Sequence, residues 1–143
     1  MKPPPHSIET EQWLLGAMLI SRDTLIKCKG ILHDFDFYRE AHQLVFRTLT
    51  SLTGEADLLA LSGELEKRGE LDRVGGNKYL MELATAATTT VGADYHIQRL
   101  KDLSCRRQLI QTATNLSEKA HDLNNNVEDV ASEATKAIND ILE

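Results

Sequence analysis

Proline is confined to the first five residues of this 143-residue chain. Pro3, Pro4 and Pro5 are its only prolines, so everything beyond them is free of the residue that breaks helices most strongly. Apolar residues then recur at the three- and four-residue spacing of amphipathic helices, and alternating strand patterns are nearly missing. The chain is therefore predicted to be all-α, with an extended leader before its first helix.

The segment from Asp57 to Leu83 predicts two short helices joined by a tight turn. Leucines in its first half recur at helical spacing, and Gly69 follows them where a left-handed cap residue is expected. A second amphipathic run begins after Gly75 and Gly76. These glycines lack the spacing and the preceding strand of a phosphate-binding loop. Nothing in the segment performs chemistry on a substrate.

The first two helices have recognisable starts. Ser7 is predicted to cap the first helix, with Glu9 and Glu11 in its first turn, where the helix dipole favours negative charge. Either Ser21 or Asp23 is predicted to cap the second helix. Together with a third helix and the Asp57–Leu83 segment, these helices predict a compact lobe.

A change of composition from Ala84 to Gly92 predicts a boundary between two parts of the chain. Threonines and small residues there disfavour helix, so we expect a multi-helix lobe over residues 1–91 and a helical hairpin over residues 92–143. The hairpin pairs two long antiparallel helices, at about 94–122 and 127–142, across the polar turn Asn124–Asn126. Residues 94–123 carry net charge +1 and residues 124–143 carry −4, which favours the pairing. Such a hairpin cannot cover its own apolar stripes, so it is predicted to be an assembly element.

Composition argues against nucleic-acid binding. The net charge of −6 and the 5% aromatic content disfavour a phosphate-gripping or base-stacking surface. The basic concentration is therefore expected to pair with the acidic second hairpin helix; it comprises Arg99, Lys101, Arg106 and Arg107. Cys28 and Cys105 have no metal-ligand spacing and are interpreted as reduced thiols. With no apolar run long enough for a membrane span and no signal peptide, we expect a soluble cytoplasmic protein.

One cluster in the lobe invites a catalytic alternative. It contains two histidines and two aspartates: His33, Asp34, Asp36 and His42. No second His-Asp pair completes a metal shell, so capping carboxylates and a packed histidine are the favoured interpretation. A metal-dependent enzyme using this region remains one alternative, and a helix-turn-helix DNA binder remains another.

Four blocks of the sequence resemble the replicative DNA helicases of the DnaB type. PPHSIETEQWLLGAML resembles the family's PxSxEAEQxVLG opening, and DFYREAHQLVF is similar to DFYxxxHxxIF. DLLALSGELEKRGELDRVGGNKYLMELA resembles DLxTLxxxLxxxGxLxxVGGxxYLxELA almost position by position. DYHIQRLKDLSCRRQLI resembles YAxIVxxxxxxRxLI. The blocks occur in the family's order and cover residues 4 to about 110.

The resemblance implies the amino-terminal domain of such a helicase, without the ATPase motor that follows it in the family. This chain is then expected to have no catalytic residues and no cofactor or metal, because ATP and Mg²⁺ belong to the motor of an ATP-dependent 5′–3′ helicase. In the family, these domains dimerise through their hairpins and form a collar of three dimers that docks primase and can receive a helicase loader. A stand-alone helical regulator or loader-type protein of replication is the alternative.

Two sets of residues follow as candidates. Self-association is predicted for apolar residues of the hairpin: Leu103, Ile110, Ala113, Val130, Ala134 and Ile138. The alternative is that these residues only hold one hairpin helix to the other. Both roles can be true for different faces of the hairpin. For primase, the resemblance points to Glu9, Tyr95 and Val127. Each has a strong structural alternative: Glu9 as a first-turn dipole residue, Tyr95 as a packing aromatic and Val127 as a core residue.

Overall fold

The computed structural model describes residues 2–143; Met1, the first residue of the predicted lobe, lies outside the described residues. Within this range the chain forms eight α-helices and no strand, which confirms the all-α prediction. The helices are α1 (Ile8–Ile20), α2 (Arg22–Ile31), α3 (Glu40–Ser51), α4 (Leu58–Lys67), α5 (Leu71–Val74), α6 (Gly76–Ala84), α7 (Ala93–His121) and α8 (Val127–Leu142). A short 3₁₀ turn, Asp34–Asp36, precedes α3.

Side-chain caps fix the starts of several helices. The hydroxyl of Ser7 accepts from the Thr10 N–H at the start of α1, and Asp57 caps α4 in the same way. Of the two candidates for α2, Ser21 is the cap. Gly69 has φ 71°, the left-handed conformation predicted for it after α4.

Helix α1 lies at the centre of the lobe. Leu14, Leu15 and Met18 are buried in the core, and α1 packs against α2, α3, α6 and α7. Gly16 allows a close approach of α1 to α6, because a Cβ built there would lie 2.5 Å from the Leu83 carbonyl oxygen of α6.

Helix α7 belongs to the lobe at its start and to the hairpin for the rest of its length. Ala93, Ile97, Leu100 and Ser104 are buried against the lobe. Further along, α7 pairs with the antiparallel α8, and none of the α8 residues, all of which the structure describes, is buried. None of the helices in residues 2–143 combines the length and the apolar composition that a membrane crossing requires.

Candidate functional site

The two hairpin helices meet along one side of each. A cleft of about 100 Å³ separates them, and its lining includes Leu116 from α7 and Val130 and Ala134 from α8. Lys119 and Glu133 form an ion pair across the helices. Val130 and Ala134, both predicted to act in self-association, therefore face the other helix of their own hairpin.

A second, exposed apolar surface runs along the hairpin. Successive residues of a helix are rotated by about 100°, so further apolar residues of α7 and of α8 lie to one side of the contact between the two helices. On antiparallel helices the corresponding flanks lie on the same side, and here that side points away from the buried, lobe-facing residues of α7. We call this surface the open face; it comprises Leu109, Ile110, Ala113, Leu116, Val127, Ile138 and Leu142.

The open face contains part of the predicted self-association set. Ile110 is 50% exposed, and Ala113 and Ile138 are also exposed, whereas Leu103 is half-buried at the edge of this surface nearest the lobe. The structure thus divides the six residues between the contact within the hairpin and a face that the chain itself leaves uncovered. Leu109 and Leu116 were missed. Their seven-residue spacing, which puts them on one helical face, is the signal that could have identified them.

The three predicted primase-binding residues are all exposed but do not form one patch. Glu9 lies in the first turn of α1, and Tyr95, 66% exposed, lies in the first turn of α7 with its ring edge-on to His96 at 5.3 Å. Val127, 81% exposed, begins α8 at the far end of the hairpin. The length of α7 between Tyr95 and His121 is about 39 Å at the usual helical rise, so a single small contact cannot include both Tyr95 and Val127 of one chain.

The favoured interpretation of the histidine–aspartate cluster is confirmed for Asp36, which caps, and for His42, which is packed, but not for Asp34, which forms an ion pair. Asp36 caps the 3₁₀ turn by accepting from the His33 N–H at 2.8 Å, and Asp34 pairs with Arg47. His42 is fully buried in α3. Within the described part of the chain, no group of three or more His, Cys, Asp or Glu side chains is placed to hold a metal ion.

Sequence reasoning missed a buried polar network inside the lobe. Glu11, interpreted as a first-turn residue of the same kind as Glu9, is fully buried and accepts from His42 Nδ1 at 2.7 Å. His42 Nε2 lies 2.6 Å from the Tyr79 hydroxyl, which also accepts from Gln12. The network joins α1, α3 and α6 and gives each buried polar group a partner.

The expected pairing of the basic residues with α8 was wrong. Lys101 pairs with Asp36 of the 3₁₀ turn, and Arg106 pairs with Asp102 one turn earlier on its own helix. Arg107 donates to backbone carbonyls of the lobe instead of to α8. The physical reason is orientation: this part of α7 presents Lys101 and Arg107 to the lobe, and net charge along a helix does not specify direction. Burial lowers the pKa of the Arg107 guanidinium, which nevertheless stays protonated at neutral pH.

Comparison with known proteins assigns this architecture to a family. Residues 3–102 match the model of the DnaB-like helicase N-terminal domain. The replicative DNA helicase DnaB of Geobacillus stearothermophilus is 34% identical over 141 residues, a match that covers 96% of this chain and 31% of the relative. The chain therefore spans about a third of the length of that protein.

Two solved structures resemble the fold. The crystal structure of the N-terminal domain of DnaB helicase from Mycobacterium tuberculosis has a TM-score of 0.88 and 31% identity, covering 96% of this chain and 99% of that one. The structure of a DnaB-like replicative helicase and its interactions with primase has a TM-score of 0.75 and 21% identity, covering 94% and 31%. At that identity the second likeness shows the fold alone.

Proposed function

Because this chain belongs to the family of DnaB-like helicase N-terminal domains, we propose that it is the interaction and oligomerisation domain of a replicative DNA helicase. The observation that carries the proposal is the open face, an apolar surface on the part of the fold that projects from the lobe. ATP- and Mg²⁺-dependent unwinding is proposed for a motor domain outside this chain. The proposed location is the cytoplasm.

We propose that a second copy of the chain covers the open face except Val127, which lies at its far end and stays free for another partner. Burial of the isoleucine, leucine and valine side chains of the hairpin stabilises a dimer by about 1.5–3 kcal/mol for a fully exposed side chain, and by about half as much for a half-exposed one such as Ile110. In a two-fold symmetric dimer every such residue contributes twice. Three of these dimers would form the collar that we propose for the full hexamer.

Self-association is tested by placing a charge on the open face. We choose Ile110→Glu, with Gln111→Glu as the matched control, because the next residue is turned about 100° around α7 toward the opposite side. Ile110 is already half-buried in one chain, so the loss of two symmetric isoleucines is expected to weaken the dimer by about 1.5–3 kcal/mol. Light scattering across a concentration series measures the mass, which should rise toward twice 16.0 kDa for wild type and control only. A wild-type mass of 16.0 kDa at all concentrations, or a variant that dimerises like the control, would refute the proposal.

Primase is the proposed partner of the exposed residues Glu9, Tyr95 and Val127, and a helicase loader is a further one. The support is their exposure, together with the similar fold of a helicase studied for its interactions with primase. Because Val127 lies far from Tyr95 in one chain, we propose that primase contacts more than one hairpin of the collar.

Calorimetric titration with a primase carboxy-terminal domain tests this partner. Glu9→Lys or Val127→Ser should weaken binding at least tenfold, and the charge-matched control Glu66→Lys, on the exposed side of α4, should leave it unchanged. Equal affinity for all folded variants would contradict the assignment of these residues.

A further inference from the structure

One buried carboxylate holds the hairpin to the lobe. Asp36 is fully buried in the 3₁₀ turn, and its Oδ1 accepts from the Ser104 hydroxyl at 2.7 Å. Its Oδ2 lies 3.0 Å from the Lys101 ammonium and also accepts from the His33 N–H. A buried charge is tolerated when it is paired and hydrogen-bonded, and here α7 supplies both the countercharge and one of the donors.

Arg107 extends this contact by one turn of α7. Its guanidinium donates to the Asp36 carbonyl at 2.7 Å and to the Pro5 carbonyl at 2.9 Å. The same group lies 5.6 Å from the centre of the Tyr38 ring, on which His6 stacks at 4.1 Å. Leader, 3₁₀ turn and α7 are thereby joined through directional bonds.

Beyond this contact the hairpin projects without support from the lobe. After Gln108, the one residue of α7 that is not exposed is Thr112, which lines the cleft toward α8. His121 lies about 21 Å beyond Arg107 at the usual helical rise. A rotation of about 10° at the contact would therefore move the end of α7 by about 4 Å, so the position of the hairpin tip is sensitive to the angle at this contact.

We propose that Asp36 is a positioning residue and that its contacts with Lys101, Ser104 and Arg107 form a latch that sets the angle between lobe and hairpin. Ile97 and Leu100 anchor the start of α7 by apolar packing, which is non-directional and tolerates small rotations. The latch supplies the direction. When it opens, the hairpin turns as a rigid unit while the lobe stays folded.

The test compares two aspartates of the same turn. Asp36→Asn keeps the size of the side chain and removes its charge, and Asp34→Asn makes the same change in a side chain whose partner, Arg47, belongs to the lobe. Spin labels at Glu66→Cys and Asn124→Cys, in a Cys105→Ser background, report the lobe-to-tip distance by pulsed electron spin resonance. An excess of unlabelled chain removes distances between copies.

The wild type and Asp34→Asn should give one narrow distance distribution, and Asp36→Asn should at least double its width with an unchanged circular dichroism spectrum. Ser104→Ala, which removes one donor and keeps the ion pair, should broaden it less. A distribution in Asp36→Asn as narrow as that of Asp34→Asn would overturn the proposal. Unfolding of both Asp36→Asn and Ser104→Ala would overturn it as well, because these groups would then hold the lobe together instead of orienting the hairpin.

Discussion

Replacement of Glu11 by alanine should damage the fold far more than the same change at Glu9. Both are first-turn glutamates of α1, but Glu11 is fully buried and Glu9 is exposed. The Glu11 carboxylate accepts from His42 Nδ1 and from the Tyr38 N–H, each at 2.7 Å. A carboxylate only accepts, so His42 Nδ1 donates to Glu11, while His42 Nε2 lies 2.6 Å from the Tyr79 hydroxyl.

The magnitude follows from the donors left without a partner. Glu11→Ala leaves the His42 and Tyr38 N–H groups unsatisfied, at a cost of about 1–3 kcal/mol each. Both variants also lose a favourable charge near the helix start, worth about 0.3–1 kcal/mol. Glu11→Ala should therefore lower the free energy of unfolding by about 2–6 kcal/mol more than Glu9→Ala. At about 3 °C per kcal/mol for a domain of this size, the melting temperatures should differ by about 6–18 °C.

Urea and thermal unfolding followed by circular dichroism at 222 nm give both quantities. The comparison is sharp because the two variants share the helix, the residue type and the number of atoms removed. A difference below about 1 kcal/mol would refute the reasoning, since at least one unsatisfied buried donor costs that much. It would mean that water or a local rearrangement replaces the carboxylate.

Three further predictions concern packing and titration. Gly16→Ala should lower the free energy of unfolding in urea by about 1–3 kcal/mol, because its Cβ would meet a carbonyl of α6 at 2.5 Å. Gly63→Ala, with open space around it, should raise the free energy of unfolding by about 0.5–1 kcal/mol. The reverse order of stability would contradict the packing. Burial lowers the pKa of His96, so the unfolded chain takes up a proton first and stability falls as pH drops below about 7.5. His96→Asn should flatten the fall of the melting temperature between pH 8 and pH 5. An unaltered pH dependence in this variant would argue against the lowered pKa of His96. Burial raises the pKa of the Cys28 thiol to about 12, so it should react with a thiol reagent at pH 8 much more slowly than Cys105, and equal rates would count against its burial.

Local sequence rules predicted most of the helices and many of their ends. They missed the short helix α5, because the segment between α4 and α6 was predicted to be a tight turn. Ser7 and Asp57 cap because a short side-chain oxygen reaches an N–H three residues later, and such contacts depend on neighbouring residues alone. The long helix predicted at about 94–122 runs from Ala93 to His121. The blocks that resemble the helicase family then related these elements to one known fold.

The same local rules could not predict which individual polar residues are buried. Glu9 and Glu11 carry one sequence signal, yet they lie about 200° apart around α1, and only Glu11 meets α3. Its partners Tyr38 and His42 are 27 and 31 residues away, so the residues near Glu11 in the sequence do not predict these contacts. The predicted pairing of the basic residues of α7 was wrong for the same reason, because the carboxylate that pairs with Lys101 lies 65 residues earlier, at Asp36.

The two proposals assign the strength of assembly and the direction of the hairpin to different chemistry. The open face is apolar and extends toward the hairpin tip, whereas the Asp36 latch is polar, buried and close to the lobe. Apolar burial contributes free energy with little regard to angle, and a paired carboxylate fixes an angle while contributing little net free energy. The two should therefore separate under mutation: Ile110→Glu should change the mass of the assembly and leave the lobe-to-tip distance as it is, and Asp36→Asn should do the opposite. In the proposed collar, copies would keep their paired hairpins while their lobes turn about the latch, because the residues proposed to hold copies together are not those proposed to set the angle.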